Sequence, residues 1–543
     1  MATPATYSNP AREAEYLGDE KAREAYEEGR DADILSVQET YTSPNADLEK
    51  GVRSDASSNT TDDRTLGGEA PNQEAERDPN IVDWDGPDDP ENPLNWPEKK
   101  KWSLIACLGA ITLVTPLASS FFAPGVPQVM ASFGVSSNIL ASLVVSVYIV
   151  GFAIGPLIIA PMSELYGRYY VYAICNFFFV VFTICCAVSN SMGVLIAFRV
   201  LAGCAGAAPL TIGGGTIADI FPQEKRAGAM AIWSIGPLLG PVVGPVCGGF
   251  LVEAKGWRWV FWILAIFGGF FGLVFFFVGS ESYHATILAR KAARLRKETG
   301  NPNLRSKLAL PIPPKEVFIR SIVRPMKMLF FQPIVLLMSL YVAVNYGILY
   351  LFFTTITFVF EGQYHFSSGA VGLSYLGTGV GLIVGMAVLG VMSDKIIKKK
   401  QVKGNAKPEH RLPLILTLPG SILLPIGVFI YGWTTDKHVH WIVPIIGTAF
   451  IGLGNITGMM TIQTYLVDAF TVHAASAIAA NTVLRSIFGA FLPLAGLDMY
   501  DALGLGWGNS LLGFIALALI PVPVFFRFYG ERIRTNPKFQ VKF

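Results

Sequence analysis

Trp102-Ser103-Leu104-Ile105-Ala106-Cys107-Leu108-Gly109-Ala110-Ile111-Thr112-Leu113-Val114-Thr115-Pro116-Leu117-Ala118-Ser119-Ser120-Phe121-Phe122 opens a run of 62 residues, between Lys101 and Glu164, that holds no Asp, Glu, Lys or Arg. The opening 21 residues match the length an α-helix needs to cross a bilayer, about 20 residues. A soluble chain cannot leave so long a stretch without charge. The whole composition agrees: 52% of the 543 residues are apolar and only 15% charged, against about a quarter in soluble proteins. Mean hydropathy is +0.45. A soluble enzyme is excluded, and little is left to bind nucleic acid.

Outward from this run, twelve apolar segments of membrane length follow: 102–122, 138–160, 170–188, 194–217, 228–251, 259–279, 333–356, 369–391, 412–433, 441–465, 474–496 and 508–527. The boundaries are least defined around 345–372 and 474–510. The long runs argue for helices and against a β-barrel, whose strands would alternate over about ten residues. The expected fold is an all-α integral membrane protein of twelve transmembrane helices in two six-helix halves. Residues 96–279 form the first half, 280–330 a basic linker, 331–527 the second half and 528–543 a short tail. Alternate loops and the C-terminal tail carry 26 Lys and Arg; the other loops carry three, Lys255, Arg258 and Lys437. By the positive-inside rule the basic loops and both termini are cytoplasmic. The halves echo one another. Met162-Ser163-Glu164 closes the second span and Met392-Ser393-Asp394 the eighth; Ala218-Asp219-Ile220-Phe221 closes the fourth and Val467-Asp468-Ala469-Phe470 the tenth. Internal repeats of this kind mark secondary transporters.

Charge is unevenly placed. Residues 1–101 hold 25 of the 40 acids and 11 of the 42 bases. Residues 1–95 show no sustained apolar period and read as a disordered acidic cytoplasmic tail, dispensable for transport. No apolar signal-peptide core lies near the start. Asn59-Thr60-Thr61 fits a glycosylation sequon, but on the cytoplasmic side it stays unmodified. The six cysteines all fall in apolar runs without metal-ligand spacing, so neither a disulfide framework, a metal site nor a cofactor is expected.

Three constellations carry chemistry. In the fifth span, Gly236-Pro237-Leu238-Leu239-Gly240-Pro241-Val242-Val243-Gly244-Pro245-Val246-Cys247-Gly248-Gly249 sets Gly236, Gly240, Gly244 and Gly248 on one helix face, where a neighbouring helix can approach closely. Pro237, Pro241 and Pro245 remove backbone donors in successive turns, more than a plain packing seam requires. Next, Ser163-Glu164-Leu165-Tyr166-Gly167-Arg168 puts a carboxylate and a guanidinium on a tight glycine turn, where the alternative is a solvated positive-inside loop. Third, Arg199 lies within the fourth span. An arginine at membrane depth costs on the order of 3 kcal/mol, so it is functional unless it snorkels to the interface. Arg485 in the eleventh span raises the same question.

These motifs resemble the major facilitator superfamily. Residues 160–169 are similar to its loop 2–3 motif, with Glu164 where Asp is usual and Tyr169 where a second base is common. Arg199 stands where the family's fourth-helix arginine does, and the fifth span resembles its antiporter motif. Asn92-Pro93-Leu94-Asn95-Trp96-Pro97, the stretch Arg290 to Asn301, Tyr346-Gly347-Ile348-Leu349-Tyr350-Leu351-Phe352-Phe353 and Pro408 to Pro413 narrow the likeness to the fungal twelve-spanner drug:proton antiporters, which include polyamine and azole exporters. The resemblance covers roughly residues 83–535. It implies the major facilitator fold and proton-coupled efflux of amphipathic organic compounds (drugs, polyamines or secondary metabolites) by a monomer in the plasma membrane, or alternatively the vacuolar membrane. A nutrient uptake facilitator and a non-transporting sensor are the rivals. It also implies that Arg168 bridges Glu164 and Asp219 when the inside is closed, locking the halves.

Substrate contacts are expected from the polar and aromatic residues of the spans: Tyr148 with Phe152 on span two; Tyr341, Asn345, Tyr346 and Tyr350 on span seven; Asn455 and Gln463 on span ten; Asn481 on span eleven. Interhelical hydrogen bonding is the alternative role for each. No acid lies mid-span and the six histidines sit in loops or at helix ends. The candidates for gating and proton coupling are therefore Glu164, Arg168, Arg199, Asp219 and Asp468, with Asp394.

Overall fold

A computed structural model describes residues 79–309, 313–401, 407–536 and 539, without the side chains at 223, 227, 393–395, 397–401 and 472. Residues 1–78 of the acidic tail and the Asp394 side chain lie outside the described residues. Within them the chain is almost wholly helical. Ten helical segments each make one membrane-length passage: Glu98–Phe133, Asn138–Tyr166, Arg168–Ala187, Met192–Ile220, Glu224–Lys255, Arg258–Val278, Pro333–Tyr364, Ser368–Met392, Leu414–Asp436 and Ile442–Ala469. An eleventh, Ala474–Arg534, is 61 residues long and folds back at Gly504, whose φ of 76° and ψ of 168° no helix contains. It therefore supplies the last two of twelve spans. The seventh span runs to Tyr364, eight residues past its expected end, because the aromatic stretch up to Phe360 is still buried.

The first and seventh spans are the most enclosed, and the third and sixth present most of their surface outward. Phe177, Phe276 and Phe277 stand more than 60% exposed there, a surface suited to lipid tails. The linker contributes two further helices, α1 (His284–Thr299) and α2 (Pro314–Phe331).

The apolar core shows where the halves meet. One continuous cluster joins Leu117 and Phe121 of the first half to Ile348, Phe352 and Tyr431 of the second. Near the basic loops the second half instead has its own cluster, built on Met328, Met338, Leu412, Tyr465 and Phe526. Hydrogen bonds reinforce the junction at the end away from the basic loops. Asn138 Nδ2 donates to Asp498 and Asp501, Gly369 N–H to Glu253 at 2.8 Å, and Thr357 Oγ1 to the Ala123 carbonyl.

Residues 80–95, expected as part of the disordered tail, are an ordered strap on the linker. Strand β1 (Ile81–Val82) pairs in parallel with β2 (Arg305–Ser306). Lys291 of α1 is 2.7 Å from Asp85 and 3.2 Å from Asp89; Arg294 meets Glu91 and Lys307 meets Asp83. Acids that look like solvated tail find their partners in the basic linker about 200 residues later. The C-terminal stretch from 528 likewise continues a helix, Pro521–Arg534, whose Glu531 pairs with Lys407.

Candidate functional site

The loop after the second span is organised by its glycine. Gly167 has φ 94°, a left-handed value that favours glycine. A Cβ there would collide with the carboxylate of Glu281, just beyond the sixth span. That carboxylate accepts from the N–H of Arg168 at 2.8 Å and of Tyr169 at 3.4 Å, the first donors of the third-span helix. Such donors have no intrahelical partner, and the helix dipole favours an anion there. Glu281 also accepts from the N–H groups of Ser282 and Tyr283.

With its backbone fixed, Arg168 extends across the fourth span. Its Nε lies 3.2 Å from Asp219 Oδ2, one Nη donates to Ser163 Oγ at 2.6 Å, and its guanidinium stacks over Tyr283. The Arg168–Asp219 pair thus forms, but both residues belong to one half, so it braces that half and does not itself bridge to the other. Glu164, on the same turn, is exposed. The second half repeats the arrangement: Arg411 Nε meets Asp468 Oδ2 at 2.6 Å. Base and acid are 51 residues apart in one half and 57 in the other. Sequence reading found the two acids through their echo. It missed Arg411 and Glu281, whose pairing spans loops that carry no shared local pattern.

Arg199 does not snorkel. It is 1% exposed and donates to the carbonyls of Ala118, Ser119 and Val145 at 3.2–3.4 Å. The first helix stops at Ser120, inside the span, and a short helix of the second span stops at Ser146. Last-turn carbonyls lack intrahelical partners and carry the negative end of the helix dipole, which accommodates a guanidinium without any acid. The rings of Phe122, Tyr148 and Phe261 surround it at 5.2–5.8 Å.

The glycine face of the fifth span lies on the first span. A Cβ at Gly236 would stand 2.8 Å from Leu113 N, at Gly240 2.8 Å from Leu117 N, and at Gly244 2.5 Å from Ser120 Oγ; at Gly248 it would strike the Phe121 carbonyl. The prolines serve the same contact. Pro245 has no N–H to give the Pro241 carbonyl, and Ser120 Oγ donates to that carbonyl at 3.3 Å. Pro237 and Pro241 interrupt the ladder in the turns before it. One position further, Gly249 presses on Ser368 and Gly372 of the eighth span, in the other half.

Of the expected substrate contacts, Asn345, Tyr346 and Tyr350 share a stretch of the seventh span. Tyr346 and Tyr350 pack at 4.9 Å, and Tyr350 OH meets Ser119 Oγ of the first half at 3.3 Å. Asn345 is buried, its carbonyl accepting from Asn455 Nδ2 at 2.7 Å. Asn481 is fully buried beside Ser339, and Gln463 is half-buried on the tenth span. Tyr341 is spent on Ser421 at 2.7 Å. Tyr148 belongs to the first-half core, its OH donating to the Thr115 carbonyl and its ring packed on Phe152.

Comparison with known proteins fits this architecture. The family model of the Major Facilitator Superfamily matches residues 108–493. The chain is 59% identical to the MFS-type transporter penM of Penicillium rubens over 87% of its own length and 92% of that protein's. It is 53% identical to the efflux pump radE of Floropilus chiversii (87% and 88% covered), and 50% identical to the MFS-type transporter atr4 of Stereocaulon alpinum (97% and 95%). Among solved structures it resembles a bacterial homologue of the human lysosomal transporter Spinster, with a TM-score of 0.59, 15% identity and 82% and 99% coverage. A D-xylose–proton symporter aligns with a TM-score of 0.57 at 15% identity, covering 77% and 96%. These two likenesses carry the fold alone. Its relatives are transporters and not enzymes, and the chain belongs to the Major Facilitator Superfamily, as a multi-pass membrane transporter similar to fungal efflux pumps.

Proposed function

We propose that this transporter exports amphipathic organic compounds from the cytoplasm in exchange for protons, as a monomer in the plasma membrane, by alternating access of its two halves. The observation that carries the reading is the fifth span. Its glycine face is set on the backbone of the first span, while Gly249 on the same helix touches the eighth span of the other half. A helix so placed seals the junction at one end and transmits movement of its own half to it. The 26-to-3 distribution of basic residues supports a cytoplasmic position for the basic end and for both termini. On that orientation the halves are joined at the outer end. Asp219 with Arg168, and Asp468 with Arg411, then lie at the inner face, where protonation of either acid would loosen its brace. Glu164 on the same face is a third candidate for coupling, and Arg199 fixes the first and second spans to the fourth.

The test is a susceptibility and accumulation screen of cells with and without the protein across azoles, polyamines and fungal secondary metabolites. Lower accumulation of amphipathic compounds in cells that carry it is the expected result. Higher uptake of a sugar or another nutrient, with no export, would replace the reading with a facilitator.

A further inference from the structure

Arg485 is an arginine at membrane depth that meets no acid among the described residues. It lies 11 residues into a helix that starts at Ala474, about 16 Å along it at 1.5 Å per residue, near the middle of a ~30 Å hydrocarbon core. Its guanidinium sits 5.2 Å over the Tyr346 ring, and one Nη faces the thioether of Met459 at 3.4 Å. Nε is buried and has no hydrogen-bond partner. Arg199 is enclosed and answered by three helix-end carbonyls, whereas Arg485 is half-buried. One turn away, Asn481 is fully buried with its Oδ1 unpartnered, and the adjacent Ser486 Oγ is unpartnered too.

The position is at the seam of the halves. Tyr346, beneath Arg485, packs on Gly489 of the eleventh span; that glycine also faces Ile149 of the second span. Tyr346 packs at a tilt on Tyr350, which reaches Ser119, whose own carbonyl holds Arg199. Two arginines, one from each half, therefore flank the same pair of tyrosines. No Asp or Glu lies mid-span to balance them. An arginine fork is shaped to take an oxyanion through two parallel N–H donors, and it does so best where water is scarce. A polyamine would meet two like charges here.

We propose that Arg485, backed by Tyr346, is the anion-recognising group of the transport pathway. The exported compounds are then amphipathic organic acids, with a carboxylate or an ionised acidic hydroxyl on an apolar body. This rests on the efflux reading above and narrows its substrate class.

The experiment measures efflux from loaded cells expressing the full chain, using three probes on one skeleton: 1-pyrenebutyrate, its methyl ester and 1-pyrenebutylamine. Wild type should export the acid at least tenfold faster than the amine. Arg485→Gln, at equal surface level, should lower the acid-to-ester export ratio at least tenfold. Arg485→Lys should recover part of that ratio, since the charge returns without the fork. If Arg485→Gln fails to reach the membrane, the Lys variant and Tyr346→Phe, which keeps the ring under the guanidinium and should keep the ratio, carry the test. Export of the amine as fast as the acid, or an unchanged ratio in both Arg485 variants, overturns the inference and leaves efflux standing. No export of any probe, together with unchanged accumulation across the wider screen, overturns the efflux reading and this inference with it.

Discussion

Replacing Gly240 with alanine adds one methyl group at the point where the fifth span touches the first. The new Cβ would stand 2.8 Å from Leu117 N and 2.9 Å from Pro116 Cβ. Carbon contacts settle at about 3.5–4.0 Å, so the two helices must part by roughly 0.7 Å or more, against a contact that is backbone and proline ring and cannot swing aside. Gly236 and Gly244 hold the same seam, one turn away on either side, so the displacement cannot be relieved locally. Overpacking of this kind costs about 1–3 kcal/mol. If the seam must stay closed in the rate-limiting conformational step, that cost converts to a loss of roughly 5- to 150-fold in rate. Gly228→Ala, in the same helix with nothing within 4 Å of its Cβ, is the control and should stay within twofold. The assay is efflux rate per surface molecule, with surface level read independently. Gly240→Ala should reach the membrane and export slowly, and Gly240→Leu should reach it and not export. Wild-type rates in Gly240→Ala would refute the reasoning, and complete loss of the Leu variant from the membrane would leave the glycines a packing role only.

Arg168→Ala removes the guanidinium that answers Asp219 and Ser163, a loss of about 1–3 kcal/mol for charge-assisted bonds. Turnover should fall about tenfold; Arg168→Glu should be nearly inactive, and Asp219→Arg added to it should restore part of the rate, whereas full activity in Arg168→Ala would make the loop a solvated turn. Glu281→Ala strips the cap from the third-span helix and should lower the melting temperature of the detergent-solubilised protein through a loss of about 2 kcal/mol; equal melting of Glu281→Ala and wild type would show that the cap does not hold the helix. The strap on the linker should be pH-sensitive. Burial works against the Asp89 carboxylate, but the N–H groups of Asp85 and Glu91 and the Lys291 ammonium outweigh it and hold its pKa below the usual value. Lys291 is likewise held above its ordinary value: burial opposes its charge, and Asp85 and Asp89 prevail. A depressed acid stabilises above its unfolded pKa and loses that contribution as pH falls through the folded one; a raised lysine stabilises below its unfolded pKa and loses it as pH rises through the folded one. Docking should therefore hold from the ordinary Asp range to the ordinary Lys range, and the hydrogen-exchange protection of the Arg305 and Lys307 amides, taken relative to an unstructured chain at the same pH, should fall outside it. Protection that is unchanged down to strongly acid pH would show that the pairing does not hold the strap.

Much of the fold was legible because span length and loop charge are properties of composition, and the halves repeat their helix ends. The turn between the last two spans falls at Gly504, inside the 497–507 gap expected between them; its exact place was harder to fix, since a reversal inside an apolar run needs only one glycine at positive φ. The site divides the same way. The glycine face could be read from its four-residue spacing, and Asp219 and Asp468 from their echo. The carbonyl cage of Arg199 could not, because it exists only where the first helix ends at Ser120 within an unbroken apolar stretch. Glu281 and the 80–95 strap were hidden for a different reason. Their partners are more than 100 and about 200 residues away, and a charge's solvated or paired state is set by the fold and not by its neighbours in sequence.

On the proposed function export runs on a proton gradient, and no GxxxxGK[ST] phosphate loop occurs anywhere in the chain to bind ATP. The direct measurement is the efflux rate of an exported compound from vesicles holding only the purified full-length protein, with a proton gradient imposed and then collapsed by an uncoupler. Efflux against its concentration gradient that begins with the proton gradient and stops with the uncoupler, without ATP, is the predicted result. Efflux that ignores the gradient and its collapse, or that begins only on addition of ATP, would contradict the account.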